Sequence, residues 1–338
     1  MIRRLPRVLL AVVLCLPSVA PADPAYTFGL MEPGQLGALA RSEDTEEGRG
    51  DSVKSGPGPE PRIPSEQLTA RTWRLAATFS AGVVAGGYVL WWRRRPVSSF
   101  DHWSEGWFGE QTYAGGADKT SHLVLGYIGG RFLQERLEKM GHPDSRARLL
   151  SVAMVSAAGL LVEVGDGFTQ YRFSWEDAVI TSAGSVFGAL VDAGGLGDTI
   201  GMRFGRVPTQ KPDLPEGFQG STSYHHTIDT LDVHLSGLLP RLGTKPGVFR
   251  FLMVSGTYAA RGYGFVDEPS RQRLVGIEVG LDVERILREA GVREETWWGG
   301  PLLFVTRFFR IPYTAIGVRY DLNDGRWLGP DFGDRYSP

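Results

Sequence analysis

The hydrophobic pattern divides the chain into stretches of different character. A basic start (Arg3, Arg4, Arg7) precedes an apolar run from Val8 to Leu16 and small residues at Ala20 and Ala22, the layout of a secretory signal over residues 1–22. Residues 23–70 predict a disordered linker, because the polar Gly/Pro/Glu/Ser stretch Met31–Gln67 offers almost nothing to bury. Residues 71–95 are mostly apolar from Trp73 to Trp92 and close on Arg93, Arg94 and Arg95, which predicts a transmembrane helix with Gly82 and Gly86 on one thin face.

Residues 96–207 read as a helical core that carries the motifs. Thr120–Met140 is amphipathic, with Gly126, Gly129 and Gly130 thinning one face, Leu149–Val164 is nearly all apolar, and Glu176–Ala193 contains Gly184 and Gly188. Hydropathy leaves three arrangements open for these helices: spanning a membrane, lying re-entrant within it, or forming a soluble bundle. Basic residues gather at Arg131–Arg148 and Arg203–Lys211, in turns alternating with the motif-bearing ones, so the motif end would face the periplasm of a spanning protein.

Residues 208–338 open on a Pro-rich join and then place Ile228, Leu231, Leu235 and Leu238 at helical spacing, predicting an amphipathic helix over Thr227–Leu242. Alternation predicts strands at Val248–Ala259, Val275–Val283 and Thr314–Tyr320, with a turn at Asn323–Gly325. The expected fold is therefore mainly α: a membrane-associated helical bundle with a small C-terminal antiparallel α+β region, too few in strands for a closed barrel.

Composition narrows the function classes. Lys and Arg number 36 against 38 Asp and Glu, a net charge of -2, which excludes a globally basic nucleic-acid binder. The single cysteine, Cys15, lies in the leader, so the mature chain holds no disulfide, zinc-thiolate site or cysteine nucleophile. No phosphate-binding loop, serine elbow or HExxH helix is present, and the glycines at 195, 197 and 201 lack the strand that a dinucleotide site needs. His225, His226 and His234, with Asp229 and Asp232, read as the polar face of the predicted helix in preference to a metal site. Trp103, Trp107, Phe108 and Tyr113 read equally as core packing or as an interfacial aromatic belt.

Candidate chemistry collects at the ends of the middle helices. Asp118 is placed to cap the first of them, His122 lies one turn on, and Ser174 with Asp177 fits a capping box. Glu163 ends an apolar run, where an unpaired carboxylate is costly, and precedes the turn Gly165-Asp166-Gly167. An up-down-up course gathers these groups at one end. Asp118, His122, Glu163 and Asp177 would then suit acid–base catalysis, while Asp118, Glu163, Asp166 and Asp177 would suit a divalent cation; a polar network without chemistry is the third reading. Lys119 is expected to point to water rather than to pair with an acid or an anionic headgroup.

The phrases ADKTSH, LLVEVGDGF and FSWEDAVITSAG, over Phe100 to about Leu190, resemble the YfiM-like family of predicted periplasmic lipoproteins, a domain of unknown function, and more distantly the VanZ-like membrane proteins. RQRLVGIEVGLDVERIL and RIPYTAIGVRYDL resemble the tails of longer members of the first family. Two departures stand out: Thr181 replaces the family's asparagine, and Leu14 before Cys15 leaves no lipobox. The resemblance implies a cell-envelope protein with a polar cluster in a helical core. Membrane lipid is the expected partner, and the inner membrane is preferred over the outer. A binding or scaffolding role is expected; the competing class is a hydrolase or transferase on an amphiphilic envelope substrate with His122 or Glu163 as general base.

Overall fold

The computed structural model describes residues 64–94, 96–206, 224, 227–263 and 271–332. The signal, the linker up to residue 63, the Pro-rich join, His225 and His226 lie outside the described residues. From Leu68 onward the chain forms one compact unit.

Helix α1 (Ser65–Leu90) is followed by the strand β1 (His102–Trp103) and then by the three motif helices, α2 (Ala117–Lys139), α3 (Asp144–Asp166) and α4 (Trp175–Ala193). The short strand β2 (Phe173–Ser174) runs parallel to β1 just before α4. Glycine brings the helices together: a Cβ at Gly184 of α4 would lie 1.9 Å from the Leu123 carbonyl oxygen of α2, and one at Gly126 2.0 Å from that of Thr181. The backbones touch where side chains are missing. Helix α2 is buried on more than one side because it is sandwiched between α3 and α4 and the sheet, where Val124, Tyr127 and Ile128 pack on Met202 and Phe308.

Helix α1 docks on this unit at both ends. The Thr72 hydroxyl meets His142 Nε2 at 2.7 Å, and the Trp91 and Trp92 ring N–H groups both donate to Asp166 Oδ1 at 2.7 Å. Residues 71–95 were expected to cross a membrane; among the described residues, the helix long and apolar enough to do so by length and composition is α3.

The C-terminal region overturns the expected fold class. A mixed sheet of seven strands fills it and recruits one strand from the end of the expected helical core, so the protein is not a mainly-α membrane bundle with a small antiparallel appendage. The strands are β3 (Ile200–Arg206), β4 (Thr227–His234), β5 (Leu252–Arg261), β6 (Gln272–Leu281), β7 (Phe309–Arg310), β8 (Ala315–Asp321) and β9 (Arg326–Asp331). They run in the order β7-β3-β4-β5-β6-β8-β9, with β7 parallel to β3 and every other pair antiparallel. The predicted helix over Thr227–Leu242 is strand β4 followed by the short helix α5 (Leu235–Arg241). Its helical spacing misled because Thr227, Ile228, Thr230 and Val233 are β-branched and strand pairing on both sides decides. Two further helices, α6 (Val283–Glu289) and α7 (Gly299–Phe308), link β6 to β7.

The sheet is curled. Arg310 on the edge strand β7 and Glu278 on β6 are separated by three intervening strands, about 19 Å in a flat sheet, yet Arg310 Nε lies 3.0 Å from Glu278 Oε1. Arg310 also donates to the Phe332 carbonyl, just past the opposite edge strand, at 2.6 Å. Inside the curl Arg203 forks onto Asp232 at 2.7 and 3.0 Å, and Arg319 joins Glu278 at 3.2 Å. Gly276 and Gly317 leave the room these long side chains need, since a Cβ at Gly276 would lie 2.8 Å from Arg319 Cγ.

Candidate functional site

Three helix ends and one loop converge. Asp118, Lys119 and His122 lie in the first turns of α2, Glu163 in the last turn of α3 and Asp177 in the first turn of α4. Ser174 caps α4, its hydroxyl accepting from the Asp177 N–H at 3.3 Å. Asp118 does not cap α2. That place belongs to Gly116, whose φ of 88° is left-handed, and a Cβ there would strike the Phe108 ring.

Lys119, expected in water, is the centre of the site at 0% exposure. Its ammonium donates to Glu105 at 2.5 Å, Asp118 at 2.6 Å and Asp177 at 2.8 Å, which uses all three of its N–H bonds. Glu105 arrives from outside the motifs. The Phe173 N–H donates to the Asp101 carbonyl, β1 pairs with β2, and the next turn of chain sets Glu105 over Lys119. Burial opposes the Lys119 charge, but Asp118, Asp177 and Glu105 outweigh it and raise the pKa above the ordinary value.

The acids divide into two kinds. Burial works against ionised Asp177 as well, yet His122 and Lys119 hold its carboxyl below the usual range. Glu105 is pushed up to about 9 by burial and then by the Asp177 charge. Burial, with Asp177 and Asp166 behind it, pushes Glu163 up to about 10, although the Ser174 N–H donates to it at 3.2 Å. At neutral pH Glu105 and Glu163 therefore hold their protons. His122, half-buried, places Nδ1 3.0 Å from the Thr181 hydroxyl rather than against Asp118.

The structure thus brings Asp118, His122, Glu163 and Asp177 to one end of the helices. His122, Glu163 and Asp177 each offer a ligand atom within 4.8 Å of the others, and so do Glu105, Asp118 and Asp177. The second trio already surrounds an ammonium, which a metal ion would have to displace. The first trio, an imidazole with two carboxyls, is suited to a divalent cation. Asp166 joins neither, because the two tryptophan N–H groups turn it aside. In the phrase VEVGDGF the glycines serve packing: a Cβ on Gly165 would strike the Trp92 ring, and one on Gly167 the Phe100 ring.

Glu105 and the central role of Lys119 carried no signal in the sequence. A lysine beside an aspartate at a helix start is ordinary, and Glu105 stands 14 residues before its partner.

Fold and site together define a glycine-packed helical unit, closed at one end by a lysine-centred acid cluster and set against a curled sheet. Residues 104–193, a little over a quarter of the chain, match the model of a family described as predicted periplasmic lipoprotein, DUF2279. The match takes in Glu105 and all of α2, α3 and α4, and with them Lys119 and its three partners. It supports a periplasmic, membrane-anchored location in the cell envelope for a protein of uncharacterised activity. No curated protein and no solved structure matches the chain.

Proposed function

We propose that this envelope protein has a binding role, in which the Lys119 cluster is the scaffold and the His122–Glu163–Asp177 corner is the ligand site. The observation that carries this reading is the complete use of the Lys119 ammonium. A lysine with every N–H engaged and no exposure carries no proton to a substrate; it fixes α2, α4 and the Glu105 loop in one arrangement, as buried polar networks do in other folds. The half-buried His122 leaves the adjoining corner open to a ligand, and the ligand its donor set fits is a divalent cation. An inner-membrane seat with the motif end in the periplasm, and a kinship with YfiM-like chains, belong to the same reading and are supported by the basic turns and the motif phrases.

A cation would compete with the Glu163 proton, so affinity should rise with pH and binding should release a proton. Titration calorimetry of the detergent-purified protein with Mn²⁺, Zn²⁺, Mg²⁺ and Ca²⁺, in buffers of different ionisation heat, tests this. The expected result is binding with proton release that Glu163→Gln and His122→Ala abolish. Heat-silent titrations with every ion would overturn it.

A second reading has its own observation. Glu163, protonated at neutral pH, stands beside a half-exposed imidazole, which is an acid–base pair. In a hydrolase or transferase acting on an amphiphilic envelope substrate, His122 would be the base and Glu163 the acid. Turnover of a lipid-linked cell-wall precursor by the wild type, lost in His122→Ala, would favour this over binding alone.

A further inference from the structure

The sheet reverses the polarity of a water-soluble fold, in which antiparallel strands turn apolar residues inward and polar residues to solvent. Strand β6 shows the reversal plainly. Glu278 faces the interior at 1% exposure, while Ile277, Val279 and Leu281 on the other side are 62%, 46% and 43% exposed. Neighbouring strands continue the pattern in register. Leu231, Gly256, Ile277 and Val318 form one row across β4, β5, β6 and β8, and Val233, Val254, Val279 and Ile316 form the next. Neither row contains a charge.

The band has a length and two distinct rims. From Val275 to Leu281 it runs about 20 Å at 3.3 Å per residue, more than the roughly 15 Å of one leaflet's hydrocarbon. At one end stand Asp324, Arg326 and the exposed Trp327, which meets the half-buried Tyr320 edge to face. At the other, Arg250 and Arg285 bracket Glu289. An open apolar groove of about 600 Å³ beside Val248, Phe249, Leu281 and Ile286 prolongs the surface there.

The interior charges complete the argument. Arg203–Asp232 and Arg310–Glu278–Arg319 are at most 4% exposed and pair inside the curl, where Arg261, at 5%, donates instead to the Thr227 and Ala260 carbonyls. Charges paired within and an uncharged apolar face without is the arrangement that hydrocarbon selects, because acyl chains cannot solvate a charge and exact no penalty for exposed leucine, isoleucine or valine. In water the same face would be a contiguous apolar patch of the kind that marks an interaction surface. A band without charge is complementary to a medium without charge. The geometry points to the outer face around Ile277, Val279, Ile316 and Val318, beyond the part of β3, β4 and β5 that α2 covers at Met202, Asp229 and Tyr258, as a lipid-contacting surface, immersed in the acyl chains of an envelope membrane, with Trp327 at the headgroup level. This surface is independent of any ligand at the helical site.

The test uses the full chain with Cys15→Ser, reconstituted into vesicles of phosphatidylethanolamine and phosphatidylglycerol. A nitroxide is placed in turn at Ile277→Cys, at Val318→Cys and, as a water-exposed reference, at Lys245→Cys. Collision rates with oxygen, which partitions into lipid, and with a nickel chelate, which stays in water, are then compared by power-saturation spectroscopy. The expected result is an oxygen-to-nickel ratio several-fold higher at 277 and 318 than at 245. Free access of nickel to 277 and 318 would show a face in water and overturn the proposal. Exclusion of both reagents, with dipolar broadening between labels, would show a second copy covering the face and overturn it equally. A protein that fails to float with the vesicles would also overturn it. Two label positions and an unchanged thermal midpoint for each guard against a variant that merely misfolds.

Discussion

Replacing Lys119 with methionine removes a charge while keeping the length of the side chain. In the folded protein the ammonium is surrounded by three carboxyls at 2.5, 2.6 and 2.8 Å with no solvent access. Glu105 already holds its proton at neutral pH, so the loss falls on Asp118 and Asp177. Removing one partner of a buried pair costs about 3–5 kcal/mol, because the remaining charge stays desolvated. At about 2–4 °C per kcal/mol for a unit of this size, the midpoint of Lys119→Met should fall by roughly 10 °C. Near-UV circular dichroism of the protein in detergent reads that shift directly. The deficit should shrink as pH is lowered, since the orphaned acids can take up protons, and Asp177→Asn added to Lys119→Met should recover part of it. A drop under about 2 °C, which corresponds to less than 1 kcal/mol, or a deficit that grows on acidification, would refute the placing of Lys119 as the compensating charge.

Other consequences follow from the same geometry. Gly184→Ala forces a methyl to within 1.9 Å of the Leu123 carbonyl and should destabilise by about 3 kcal/mol or more, whereas Gly82→Ala, with nothing within 4 Å, should be neutral or mildly stabilising; urea unfolding separates the two. Glu278→Gln leaves Arg310 and Arg319 facing a neutral amide inside the curl and should cost about 3–5 kcal/mol, read by the same denaturant series. Glu105 and Glu163 bind their protons more tightly folded, near 9 and 10, than at the ordinary 4.5. Between 4.5 and those values the folded state holds more protons, so stability without added metal should fall as pH rises, and Glu105→Gln with Glu163→Gln should flatten that slope in thermal melts. Asp177 acts in the opposite sense: its depressed pKa contributes stability above the ordinary 3.8 that is lost as pH falls through the folded value, so Asp177→Asn should weaken the acid limb of the same curve.

Much of the helical unit was legible in the chain. The three motif helices, the capping box at Ser174 and the glycine faces on α2 and α4 are local properties, set by periodicity and by the missing side chains at Gly126, Gly184 and Gly188. The gathering of Asp118, His122, Glu163 and Asp177 also followed from sequence, because an up-down-up course leaves few other places for those ends. The strands β5, β6 and β8 were readable from alternation, and the Asn323–Gly325 turn from its residues.

Tertiary structure decided the rest, and each case involves partners far apart in the chain. Whether Lys119 meets water or three acids depends on β1–β2 pairing that delivers Glu105, and on α4 that delivers Asp177, 58 residues away. Whether Thr227–His234 is helix or strand depends on neighbours that no local window contains. The alternation in β6 showed two faces but not which was buried. A period of two is the same for either choice, and only the curl of the sheet, which pairs Glu278 with Arg310 and Arg319, turned the charges inward and left isoleucine, valine and leucine outside.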